Sequence, residues 1–117
     1  MPDAPRHALY LVHVEVEPGA EPAWTAWMFE HHVPEVVKLG GFLRARRLRD
    51  EARAPDGWSR WTLLYEAPDR ATIDGYLNGP HIGRIRQEHT ERFGATTRIS
   101  RQILVEAGEP IHGEPRG

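Results

Sequence analysis

The order in which hydrophobic periodicity changes along the chain constrains the fold more than any other feature. Four stretches alternate with period two, and segments of helical spacing separate the first from the second and the third from the fourth. Leu9 to Glu17 places Tyr10, Val12, Val14 and Val16 on one face and Leu9, Leu11, His13 and Glu15 on the other, which is the pattern of a β-strand. Both faces begin apolar, so this strand is expected to be central rather than at an edge. Phe42 to about Arg49 and Trp58 to Glu66 read as a hairpin turned by Pro55-Asp56-Gly57, with Trp61, Leu63 and Tyr65 sharing a face. Thr97 to Glu106 completes the set, with Ile99, Arg101, Ile103 and Val105 on one side.

The first helical segment begins near Pro22, whose missing N–H suits a first turn, and runs to about His32. At about 100° per residue, Trp24, Trp27, Met28 and His31 share the packing face. Pro34 disfavours α geometry at Val33, which predicts a break and a second short turn from Pro34 to Leu39, capped by a left-handed Gly40. Asp69 is placed to cap a helix carrying Ile73, Tyr76 and Leu77, interrupted at Asn78-Gly79-Pro80. A further helix aligns Ile82, Ile85, His89 and Phe93, and Gly94 stops it.

The resulting order, β-α-β-β-α-β, predicts an α+β, ferredoxin-like domain: an antiparallel four-stranded sheet with both helices on one face. Its domain spans residues 8–106, between a flexible N-terminus at 1–7 and a flexible tail at 107–117. The bare sheet face needs a cover, and the aromatic content is high for so small a core, so a homodimer is expected.

Composition narrows the chemistry. The chain has no cysteine, which excludes disulfides, thiolate nucleophiles and cysteine-ligated metals. No charged-then-apolar leader and no membrane-length apolar run is present, so a cytoplasmic location and no membrane partner are expected. Net charge is −2, which makes no case for nucleic acid. RNA-recognition modules share the element order, but Trp58 to Tyr65 lacks their aromatic third-strand pattern.

Several strings together carry a specific resemblance: Tyr10-x-Val12-x-Val14, Trp24-x-x-Trp27-Met28, His32-Val33-Pro34-Glu35-Val36, Gly40-Gly41-Phe42, Ile85-Arg86-x-x-His89, Arg92-Phe93-Gly94 and Arg101-x-Ile103-Leu104. Over roughly residues 8–106 the chain resembles a bacterial family of unknown function within the dimeric α/β-barrel superfamily, with Leu39 where that family tends to carry threonine. The resemblance implies two subunits closing a barrel through their bare sheet faces, each with a cavity. Relatives it brings into view include cofactor-independent monooxygenases of the antibiotic-biosynthesis type, polyketide cyclases, lactone isomerases, haem-degrading enzymes and members without activity, so fold alone assigns no reaction.

Among candidate site residues, His32 stands first. It is read either as a general acid or base beside Trp24 and Trp27, or as a ring bonded to backbone freed by Pro34. Arg101 alternates with Ile99 and Ile103 and is expected to face apolar space. A guanidinium there needs a carboxylate, with Glu35 or Glu66 as candidates, or an anionic ligand. Trp24, Trp27, Trp61, Tyr65, Tyr10 and His89 are read as ligand-contacting or core residues around a small organic, aromatic or polyketide-like molecule. His31 is expected to be a partly buried structural histidine. No metal and no cofactor is expected, since no His-x3-His pair exists and His31 and His32 diverge on a helix. Two functions follow: a cofactor-independent enzyme for proton transfer, cyclisation or oxygenation, or a non-catalytic binding dimer.

Overall fold

A computed structural model describes residues 7–115; the expectation for 1–6 and 116–117 lies outside the described residues. Its elements are β1 (Ala8–Val16), α1 (Glu21–Trp27), a π-helical turn (Met28–His32), α2 (Val33–Gly40), β2 (Arg44–Arg49), β3 (Ser59–Ala67), α3 (Arg70–Leu77), α4 (Ile82–Phe93), a 3-10 turn (Gly94–Thr96) and β4 (Thr97–Val105). The strands form one antiparallel sheet in the order β2-β3-β1-β4, with β1 central as its two apolar faces require. The fold is therefore the ferredoxin-like α+β arrangement. Residues 107–115 carry no helix or strand.

Register explains the core. Tyr10 lies opposite Tyr65 and Ile103, Val12 opposite Leu63 and Arg101, and Val14 opposite Trp61 and Ile99. These side chains share the pleat face towards the helices, where Tyr10, Val14, Leu63 and Tyr65 are buried together with Trp24, Met28, Val36, Ile73, Tyr76 and Ile85. On the opposite face Leu9, Leu11 and Leu64 are half-buried, while Leu48 and Leu104 are exposed. His13 sits among them, its ring bonded to Thr62 at 2.8 Å and Gln102 at 3.1 Å.

Pro34 does not break the helix. Val33 keeps right-handed helical angles (φ −63°, ψ −46°), and its N–H bonds the carbonyl of Met28, five residues back. In a regular α-helix the Pro34 ring would strike the carbonyl four residues earlier and leave it without a donor. The wider π turn inserts one residue and relieves that clash. It also rotates the following residues, so that His32 faces inward and His31 outward, correcting the expected placement of His31 on the packing face.

The glycine pair differs from expectation as well. Gly41, not Gly40, takes the left-handed conformation, at φ 68°. Gly40 is needed for another reason: a Cβ there would lie 2.3 Å from the Phe42 ring. Phe42 precedes β2 instead of starting it, and stacks on Tyr10 with centroids 6.3 Å apart. The arginines of β2 line an exposed edge, as a strand needing protection from further pairing should. Asp69 caps α3 as its sequence predicts, accepting from the Thr72 N–H at 2.8 Å.

Candidate functional site

Between the helix-side face of the sheet and the helices lies a cavity of about 50 Å³. The sheet contributes Tyr10, Val12 and Val14 from β1, Tyr65 from β3, and Ile99 and Arg101 from β4. Met28 and His32 come from the π turn, Val36 from α2 and Tyr76 from α3. Helix α4 adds Ile82, Ile85, Arg86, His89 and Thr90. Among the described residues, two guanidinium groups line this space and no carboxylate does.

The structure thus brings together five of the residues read from sequence: His32, Arg101, Tyr10, Tyr65 and His89. Trp24, Trp27 and Trp61 stand behind the wall rather than on it. Trp24 is fully buried, and its Nε1–H donates to His89 Nε2 at 3.0 Å. His89 must therefore accept at Nε2 and, when neutral, carry its proton on Nδ1. Trp27 packs its ring on His32 (5.1 Å between centroids), His89 (6.0 Å) and Phe93 (5.7 Å). Trp61 donates from Nε1 to Glu21 at 2.8 Å, away from the cavity.

His32 is not tied to backbone. Neither of its ring nitrogens has a hydrogen-bond partner among the described residues, and no sealed-in side-chain polar atom lacks one, so both nitrogens face open space. The ring borders the cavity on one side and an outer groove with Trp27, His31, Glu35 and Glu88 on the other. Burial pushes its pKa down to about 4; His89 adds to the depression, Glu88 acts against it and Arg101 adds again. His89 is likewise held down at about 4, by burial and then by Arg101. Both rings are neutral near pH 7, with centroids 5.9 Å apart.

Arg101 is exposed at the edge of the cavity instead of enclosed in apolar space. The carboxylates expected to balance it are engaged elsewhere: Glu35 with Arg84 at 3.1 Å, and Glu66 with Arg44 and Arg46. It makes no ion pair among the described residues. Tyr65 and Tyr76 have raised pKa values, the latter about 12, in both cases through burial first. Their hydroxyls have no hydrogen-bond partner among the described residues, and both residues line the cavity.

Sequence reasoning passed over Arg86 and Tyr76 as site residues. The signal for Arg86 was its position three residues before His89, at the margin of the stripe formed by Ile82 and Ile85. Tyr76 looked like any core aromatic until the cavity was found beside it.

Among the described residues, no helix is long and apolar enough to cross a membrane. Solved structures of the same fold are numerous. A protein of unknown function and possible oxidoreductase from Bacteroides thetaiotaomicron is 10% identical, with TM-score 0.63 over 88% of this chain and 100% of that one. SnoaB from Streptomyces nogalater, a cofactor-independent oxygenase, is 12% identical, with TM-score 0.61 over 89% and 96%. A dimeric ferredoxin-like protein from an uncultured marine organism is 14% identical, with TM-score 0.59 over 90% and 99%. At such identities the likeness is one of fold. The chain matches no curated protein. Residues 7–107 match a family model described as Domain of unknown function (DUF4286), and the chain belongs to that family.

Proposed function

We propose that this protein is a homodimer whose subunits each bind a small organic molecule between sheet and helices, and that it acts as a cofactor-independent proton-transfer catalyst. The observation that carries the reading is His32: a neutral imidazole, unbonded among the described residues, on a cavity that they line with arginine and no carboxylate. A proton leaves an acidic C–H or O–H of the ligand for a His32 ring nitrogen, and the electron pair left behind becomes an enolate or phenolate stabilised by Arg101. An imidazolium is unfavourable in the empty site, and the ligand's new negative charge is what makes it tolerable. The outer groove beside Glu88 then offers the proton a way to solvent. Ring closure or attack on dioxygen is open to such an anion without a cofactor. The cofactor-independent oxygenase of the same fold supports this class of chemistry. A non-catalytic binding dimer would use its histidines to hold the helix turn, and the free nitrogens of His32 favour the catalyst.

Replacing His32 by alanine should slow deprotonation of a neutral carbon acid by about 10²-fold or more. Acetylacetone is a suitable probe, with exchange of its central C–H in deuterated water followed by NMR. An unchanged exchange rate in His32→Ala removes His32 from the chemistry. Dimerisation through the sheet face bearing Leu9, Leu11, Leu48, Leu64 and Leu104 is supported by the apolar exposure there and by the dimeric relative. Light scattering at micromolar concentration should give twice the 13.3 kDa chain mass, and a monomer would rule the assembly out.

A further inference from the structure

Arg86 has no role in the scheme above, yet it is one of the two guanidinium groups on the cavity. Seven of the twelve arginines among the described residues have acidic partners: Arg44 and Arg46 pair with Glu66, Arg49 with Glu21, Arg60 and Arg98 with Glu15, Arg70 with Asp74, and Arg84 with Glu35 and Glu88. Arg86 has none among the described residues. Among the described residues its side chain makes one hydrogen bond, from Nη2 to the Tyr10 hydroxyl at 3.4 Å. Being exposed, Arg86 needs no carboxylate to remain charged. Reaching from α4 to a β1 phenol, it lies over the cavity instead of extending into solvent.

The two arginines meet at Tyr76, on which both act, and differ elsewhere. Arg101 acts on both His32 and His89. Arg86 bonds Tyr10, and Tyr76, whose hydroxyl has no partner among the described residues, lines the same cavity. A guanidinium fork beside a phenol O–H matches a carboxylate, which accepts two parallel N–H bonds and has lone pairs to spare.

We propose that Arg86, oriented by Tyr10, anchors a ligand carboxylate, so that the ligand is a small organic acid whose acidic C–H or O–H lies at the His32–Arg101 end. The assignment rests on the reading of this cavity as a ligand site and adds to it the class of ligand. A cavity of about 50 Å³ admits only a few heavy atoms, which favours a compact oxo acid over a fused-ring compound.

The test compares pyruvate with its neutral isostere pyruvamide by calorimetry, on the wild-type protein and on Arg86→Gln, Arg86→Lys and His32→Ala. Wild type should prefer pyruvate by about tenfold or more, the margin expected of a charge-assisted bond. Arg86→Gln should abolish that preference, Arg86→Lys restore part of it, and His32→Ala leave it intact. Since Arg86 is exposed, its variants should melt with the wild type. Equal binding of the two probes, a preference that survives Arg86→Gln, or no pyruvate binding at millimolar concentration overturns the anchor. The acetylacetone measurement separates this from the role of His32. Exchange that depends on His32 without any carboxylate preference leaves the base and removes the anchor. A preference that depends on Arg86 without His32-dependent exchange does the reverse.

Discussion

Acidification from pH 6.5 to about 4 is expected to lower the folding stability of this protein by about 3 kcal/mol or more. The source is the His32 and His89 pair. In the unfolded chain each ring titrates near its ordinary 6.5, while in the folded protein burial and Arg101 keep both neutral down to about 4. Between those values the unfolded state binds more protons, so stability falls as pH falls. Above the window both states are neutral and the full contribution is present; below it both are protonated and the loss is complete. One buried histidine shifted this far accounts for about 3 kcal/mol. The pair contributes less than twice as much, because their mutual repulsion is shared. Carboxylates with lowered pKa values, such as Glu66 and Asp69, begin to lose their contribution only near their ordinary 4.5 and 3.8, so all but the lowest part of this window belongs to the histidines. Urea denaturation at several pH values should show the slope in wild type and a shallower one in His32→Phe. Equal slopes in the two proteins would contradict this account.

Trp24→Phe is expected to destabilise the protein by about 2–4 kcal/mol through two effects of the same sign. Trp24 is completely buried, packed against Phe29 and Trp61 with centroids 6.0 and 5.7 Å away, so the smaller ring leaves a void. The substitution also removes the donor to His89 Nε2, leaving a buried acceptor without a partner. The second effect has its own signature. With the indole present His89 is held as the Nδ1–H tautomer; without it the Nε2–H form becomes accessible, and nitrogen chemical shifts of the ring report the change. A loss under 1 kcal/mol together with an unaltered tautomer would show that Trp24 neither fills nor orients this region.

The fold was largely legible because its determinants are local. Alternation along β1, β3 and β4 depends on neighbouring residues alone, and it places Tyr10, Leu63 and Tyr65 on the buried face without reference to the rest of the molecule. The Asp69 cap needs only residues 69–72. Pro34 was misjudged because a proline in a helix is local only in its clash; the way the chain relieves that clash depends on packing. The apolar sequence of α1 and α2 steps from Trp24 to Met28 by four residues and then to Val33 by five, and all three are buried. That five-residue step is the trace a π turn leaves in sequence, and it decides which of two adjacent histidines faces the cavity.

By itself, then, the sequence determined the order and faces of the strands, the helix boundaries set by Asp69 and Gly94, and the presence of His89 and Arg101 among the apolar residues of α4 and β4. Only the tertiary structure decided that His32 reaches a cavity while His31 does not, that Arg86 and Arg101 have no acidic partner among the described residues, and that Trp24 orients His89. The physical reason is one of range. Periodicity and capping are settled within a few residues, whereas a cavity and its charge balance depend on which side chains from β1, α4 and β4 meet after docking.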